Sequence, residues 1–212
     1  MLEHGKIVAC KGNLITVETE KPIENEIREK RINSVGFCLN DGRTITRKQQ
    51  KFIYALFKDM ADHTGYTDFE IKAGFKKGFA EYSCLAPFSL ADVDVTTARY
   101  FIDFLIQWCI ENDVGTKISL LDNAPDIGRY VYLCLVNKKC AVCGDKAELH
   151  HAEHVQIGRN RKEICHIGMS ALPLCRKHHT ECHGIGQKSF NEKYHLFGVN
   201  IDENIAREYN LK

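Results

Sequence analysis

Two short knuckles, Cys140-x-x-Cys143 and Cys175-x-x-His178, and two histidine pairs, His150-His151 and His179-x-x-x-His183, carry the chemistry this chain can offer. A structural zinc ion takes four thiolate or imidazole ligands at tetrahedral positions, usually delivered as two such knuckles. Cys140, Cys143, Cys175 and His178 supply that set, and Gly144 suits the tight turn that follows the first knuckle. A coincidence of buried thiols is the alternative, and Cys165 and Cys182 compete as ligands. His179 and His183 stand one helical turn apart, so both imidazoles leave one helix face and can hold one ion. His150 and His151 end an expected strand, Ala147–His150, where neighbouring side chains point to opposite sides. One can ligate an ion while the other faces a substrate. That division suits metal-assisted phosphodiester hydrolysis, in which a cation polarises the phosphate and a neutral imidazole deprotonates water. The non-catalytic alternative is a second structural zinc, or plain surface packing.

The remainder of the chain must position these groups. Its 212 residues suffice for one core, or a core with a small satellite module. An apolar fraction of 44% and a charged fraction of 27% are those of a soluble globular protein. No apolar run approaches bilayer length, which excludes a transmembrane helix, and no membrane role is expected. The opening MLEHGKIVACKGN has no signal-type apolar region, so a cytoplasmic location is expected, that of the host if the chain is phage-encoded. In a reducing compartment, Cys-x-x-Cys knuckles mean metal more often than disulfide. Cys10, Cys38, Cys84, Cys109 and Cys134 stand among apolar neighbours and read as buried thiols. A net charge of +1 makes no global case for nucleic-acid binding, so any such case rests on local patches.

Strands are expected at Lys6–Cys10 and Leu14–Glu18 around a Lys11-Gly12-Asn13 turn, and again at Val35–Leu39 before Asn40-Asp41-Gly42. Pro22–Arg31 is polar and reads as a short helix or an exposed loop. Thr46-x-x-Gln49 caps a helix running to Thr64-Gly65, and Thr67-x-x-Glu70 opens a basic helix closed by Gly78. Lys72, Lys76 and Lys77 of that helix either track phosphates or form a solvated face. The strongest helix is Val95–Glu111, with Ala98, Phe101, Ile102, Leu105, Trp108 and Cys109 along one apolar stripe. A last helix of this region is expected over Asp122–Val136, with Pro125 in its first turn. Asn137-Lys138-Lys139 then leads into the metal-binding module.

Cys-x-x-Cys, Leu-His-His and Leu-Cys-x-x-His-His-x-x-x-His together resemble the finger of HNH (ββα-metal) endonucleases, in particular HNH nucleases of phage genomes that lie beside recombination genes. The resemblance covers Lys139–Gly186. It implies a hairpin presenting the adjacent histidines opposite a helix that supplies the later ones. His151 then takes the general-base role, His150, His179 and His183 hold the catalytic ion, and Cys140, Cys143, Cys175 and His178 hold a structural zinc. His178 stands where the fourth ligand is usually Cys. The middle Asn of the family commonly lies five residues before the third zinc cysteine. Ser170 occupies that place here, and Asn160 lies in the intervening loop as a substitute. Residues 1–136 also resemble, diffusely, the lambda-type Orf recombination mediators, which bind single-stranded DNA as dimers and help load a recombinase onto strands coated by single-strand-binding protein.

The sequence therefore reads as an α+β chain in two parts. An N-terminal mixed strand-and-helix domain, 1–137, would bind DNA, and a zinc-braced ββα-metal finger, 138–212, would cut it. Implied cofactors are structural Zn²⁺ and a catalytic Mg²⁺, Mn²⁺ or other divalent ion. Implied partners are single-stranded or branched DNA, single-strand-binding protein, a recombinase and a second copy of the chain. Arg159, Arg161 and Lys162 in the finger loop and Arg176 beyond it are placed to meet backbone phosphates, with a solvated basic loop as the alternative. The competing function is a zinc-stabilised recombination mediator without turnover. Cys165, Cys182, His154, His166 and His195 receive no assignment from sequence, although a packed surface histidine is the simplest use of His195.

Overall fold

The computed structural model describes residues 5–35, 42–83, 85–152 and 166–211. Most of the expected Val35–Leu39 strand, together with Cys38 and Cys84, lies outside them, as do His154, Arg159, Asn160, Arg161, Lys162 and Cys165.

The described chain opens with an antiparallel hairpin, β1 (Gly5–Lys11) and β2 (Leu14–Thr19), turning at Gly12, whose φ of 58° favours glycine. Helix α1 (Glu24–Glu29) decides the open choice at Pro22–Arg31 in favour of helix. Both hairpin strands face solvent along their lengths, so Cys10 is exposed rather than the buried thiol expected of it. Alternation in a strand buries a face only where a second layer covers it.

Helix α2 (Arg47–Thr64) starts at the Thr46/Gln49 capping box and stops at Gly65, in the left-handed region at φ 80°. Helix α3 (Asp68–Ser83) opens at the Thr67/Glu70 box: Glu70 accepts from the Thr67 amide at 2.9 Å, and Thr67 accepts from the Glu70 amide at 3.3 Å. It runs through Gly78 instead of stopping there. A helical glycine costs only about 1 kcal/mol relative to alanine, and the rings of Phe75 and Phe79 on either side pack against Phe104 at 6.2 and 5.5 Å. Tertiary burial outweighs the local preference.

Helix α4 (Val95–Glu111) is capped by Asp94, which accepts from the amides of Thr96 and Thr97. Ala98, Phe101, Ile102, Leu105 and Cys109 form its buried stripe. Phe101 gathers the rings of Phe57, Phe79 and Phe88 at 6.2, 5.1 and 5.3 Å. Trp108 is half-buried and edge-on to Phe75 at 5.1 Å, a packing role. The next helix begins later than expected. A single 3-10 turn covers Leu121–Asn123, Ala124 is extended at ψ 125°, and α5 (Ile127–Val136) starts under the Asp126 cap. Pro125 explains the break, because its ring pushes the preceding residue out of the helical region.

Helix α5 packs against α4 on one side and against the C-terminal elements on the other. Those elements are β3 (Glu148–His151), β4 (Ser170–Leu174), α6 (Arg176–Ile185), α7 (Gln187–Tyr194), β5 (Val199–Asn200) and α8 (Glu203–Glu208). They form an antiparallel sheet in the order β3-β4-β5 with His150 opposite Leu172 and His151 opposite Ala171. Tyr130 donates to the Ala141 carbonyl and Tyr132 to the Asp202 carboxylate, both at 3.0 Å. Leu56, Leu105, Val131, Leu172, Phe190 and Ile205 belong to one buried cluster. The architecture is mixed α/β, mostly helical with small sheets, and the last sheet and α6 carry the histidines.

Asp103 of α4 is a carboxyl buried in this core. Burial raises its pKa to about 6, with Arg129 opposing the rise and Asp126 adding to it. A raised carboxyl pKa favours the folded state fully below the unfolded value of 3.8 and loses that contribution as pH climbs through about 6. Asp103→Asn should therefore be more stable than the parent near neutral pH. The gap should close toward pH about 4 in urea titrations.

Candidate metal centres

Cys140 follows α5 directly, and its knuckle closes through Gly144, at φ 77°, whose amide donates to the Cys140 carbonyl at 2.8 Å. Cys175 caps α6, which places Cys175 and His178 in the same opening turn. The four ligand atoms converge. Cys140 Sγ and Cys175 Sγ lie 3.4 and 3.2 Å from His178 Nδ1, and Cys143 Sγ lies 3.6 Å from Cys175 Sγ. A tetrahedron with metal–sulfur bonds of about 2.3 Å has sulfur–sulfur edges of roughly 3.8 Å, so this cluster is already near zinc geometry. Burial disfavours the Cys175 thiolate, but the amide of His178, the neighbouring thiols and the amide of Lys177 bring its pKa below the ordinary value. Burial likewise keeps the His178 imidazole neutral by lowering its pKa, and pushes the Cys143 thiol up. Three sulfurs and a neutral imidazole fit a closed, structural zinc site.

Adjacent helix positions are about 100° apart, so His179 leaves α6 in a different direction from His178. It joins His183 one turn on, and the two rings stack at 4.9 Å with an interplanar angle of 30°. His150 of β3 completes the group, its ring 4.7 Å from His179 and 5.1 Å from His183, edge-on to both. One ligand atom from each lies within 4.8 Å of the others. Burial lowers the His150 pKa; the hydrogen bond to Gln187 opposes that shift, and the neighbouring imidazoles assist it. Three imidazoles on a partly open surface suit an ion that keeps a coordination position for another ligand. Around them, Gln187 Oε1 lies 2.7 Å from His150 Nε2, Glu148 Oε2 lies 3.3 Å from His179 Nδ1, and Cys182 Sγ lies 3.5 Å from His150 Nε2.

His151 points to the other side of β3, with Nε2 at 3.0 Å from His166 Nδ1. Ser170 begins β4, but its hydroxyl sits against Gly198 of the approach to β5, in the space a side chain at 198 would need. Arg176 is exposed and pairs with Glu148 at 3.4 Å. Lys72, Lys76 and Lys77 all lie on α3, and none belongs to either ligand group. His195 ends α7 in the left-handed region at φ 52° and joins neither group of converging ligands. Asn160, Arg159, Arg161 and Lys162 fall outside the described residues. Glu148 could have been found from sequence, since residues two apart on a strand share a face with His150. Nothing local marks His166 or Gln187, which reach the site only through tertiary folding.

Replacing Cys175 by Ser removes one of the four converging ligand atoms, at the start of α6. The variant should lose its tightly bound zinc and several kcal/mol of stability, seen as zinc missing by mass spectrometry and as rapid proteolysis between β3 and α7.

Comparison with protein families finds a match over residues 15–212 to the family described as "Putative HNHc nuclease". No curated protein and no solved structure matches. With nearly its whole length matched, and with two sets of metal-competent ligands converging around β3 and α6, the chain belongs to this HNH nuclease family.

Proposed function

We propose that the chain is a metal-dependent endonuclease that cuts single-stranded or branched DNA in phage recombination. The observation that carries this reading is the convergence of His150, His179 and His183 beside His151, which leaves the same strand on its opposite side. A zinc ion at Cys140, Cys143, Cys175 and His178 would brace the finger. A divalent ion at the three imidazoles would supply charge stabilisation to the scissile phosphate.

The residues of the chain do the proton chemistry. His151, whose Nε2 lies 3.0 Å from His166 Nδ1, would take a proton from the attacking water on its imidazole. The water oxygen bonds to phosphorus in line as the bond to the 3′ oxygen breaks, and that oxygen is protonated from solvent. The ends left are a 5′-phosphate and a 3′-hydroxyl. In this reading His166 orients the base, in place of Ser170 or Asn160. An all-imidazole donor set favours Mn²⁺, Co²⁺, Ni²⁺ or Zn²⁺ over Mg²⁺, which prefers oxygen ligands.

Residues 1–137 would serve as the DNA-holding part and 138–212 as the cutting part. Lys72 bonds the Tyr54 hydroxyl at 2.9 Å and lies 5.0 Å over its ring, and Lys76 lies 5.2 Å over the ring of Phe88. Ammonium groups alternating with rings support a path for single-stranded phosphates and bases, with Lys77, Arg176, Arg159, Arg161 and Lys162 as further phosphate contacts. The Orf-type resemblance supports delivery through single-strand-binding protein and a recombinase, with the chain as a dimer.

Supercoiled and single-stranded DNA should be nicked by the zinc-loaded protein with Mn²⁺, Co²⁺ or Ni²⁺ and not with EDTA. His151→Ala should lower the rate by about 10²–10⁴-fold while zinc content and DNA binding persist. A folded, zinc-loaded parent that binds single strands but cuts with none of these ions would instead support the mediator reading.

A further inference from the structure

We propose that Gln187, the first residue of α7, is the positioning residue of the three-histidine centre, fixing the ring of His150 and the nitrogen it offers to an ion. The inference rests on the reading of His150, His179 and His183 as an ion site. It assigns part of that site to a segment beyond the hairpin and helix of the finger.

The hydrogen-bond pattern sets the direction of each proton. Gln187 Oε1 receives two groups: His150 Nε2 at 2.7 Å and the Cys182 thiol at 3.4 Å. The Gln187 amide nitrogen donates to Asn191 Oδ1 at 2.7 Å, one turn further along α7. An amide oxygen only accepts, so His150 must carry its proton on Nε2. The lone pair then resides on Nδ1, which becomes the ligand atom. With the opposite tautomer, Nε2 would face an oxygen lone pair, and Nδ1–H would be useless to a cation. A hydrogen-bond acceptor on the far side of a ligating imidazole also makes the ring a better base and stops it rotating.

Gln187 is held in place by the backbone rather than by a flexible stem. Gly186, at φ 84°, links α6 directly to α7, and its amide donates to the Cys182 carbonyl at 2.9 Å. This abrupt link turns the start of α7 back toward β3. Phe190 is fully buried one turn later, and Tyr194 at the end of α7 sits edge-on to His178 at 5.8 Å and donates to Glu181. One short helix thus touches His150 at its first residue and a ligand of the sulfur cluster at its last. Glu148 meets His179 in a similar sense, but it is 54% exposed and shared with Arg176, so water can replace it. The half-buried Gln187 amide, tied also to Asn191, is the better shielded of the two partners.

The test titrates Co²⁺ into the protein with its sulfur site filled by zinc, following cobalt absorption against a competing chelator, for the parent, Gln187→Ala, Gln187→Glu and His183→Ala. Gln187→Ala should bind Co²⁺ about 10–100-fold more weakly with zinc content unchanged. Gln187→Glu keeps an acceptor at the same place and should recover most of the affinity. Long-range ¹H–¹⁵N spectra of the imidazoles should show the Nε2–H form of His150 in the parent and a mixture in Gln187→Ala. Parent-like cobalt affinity in Gln187→Ala, or an Nδ1–H form of His150 in the parent, would overturn the assignment while leaving the ion site standing. Cobalt uptake that is absent in the parent, or unaffected by His183→Ala, would overturn the ion site and this assignment together.

Discussion

The contact on which the rest depends is the closure of Cys140, Cys143, Cys175 and His178 around one point. It joins the first turn of α6 to the chain leaving α5, and so fixes both the position of that helix and its rotation about its axis. The rotation matters most. His178 and His179 are neighbours, and turning α6 by one residue would deliver the wrong imidazole to each cluster. With His178 committed to the sulfurs, His179 and His183 can face only β3, where the strand register has set His150 opposite Leu172. The soft-ligand set thereby controls the geometry of a second cluster that shares none of its residues.

Electrostatics at that second centre follow from the same placement. Burial lowers the His150 pKa and so favours its neutral imidazole. Gln187 and Glu148 set acceptor oxygens 2.7 Å from His150 Nε2 and 3.3 Å from His179 Nδ1. His151 has a different environment on the opposite side of the strand, paired with His166. Two adjacent histidines thus acquire two environments from strand alternation alone.

Much of this was legible in the chain because it depends on local chemistry. The capping boxes at Thr46 and Thr67, the Asp94 cap, the stripe from Ala98 to Cys109 and the two knuckles are all decided within a few residues. The misreadings occur where a local signal meets a tertiary one. Gly78 reads as a helix end until Phe75 and Phe79 find the core, and Cys10 reads as buried although its hairpin is uncovered on both faces. Pro125 suits the first turn of a helix over 122–136 by local rules, and in the fold it delays that helix to Ile127. Gln187 and His166 were invisible for a stronger reason: each becomes relevant only after β3, β4 and α6 have assembled, and no periodicity or spacing encodes that. Ser170 shows the converse, a position singled out by motif whose hydroxyl the fold directs at Gly198.

The central claim is that one finger holds two ions with separate ligand sets, and anomalous X-ray scattering from crystals of the zinc-loaded protein soaked in Mn²⁺ or Ni²⁺ tests it most directly. Data at the zinc edge should place one ion among Cys140, Cys143, Cys175 and His178. Data at the edge of the soaked metal should place a second among His150, His179 and His183, at about 2.0–2.2 Å from imidazole nitrogens. A single shared ion, or a second ion lodged elsewhere while the three imidazoles turn apart, would contradict the account.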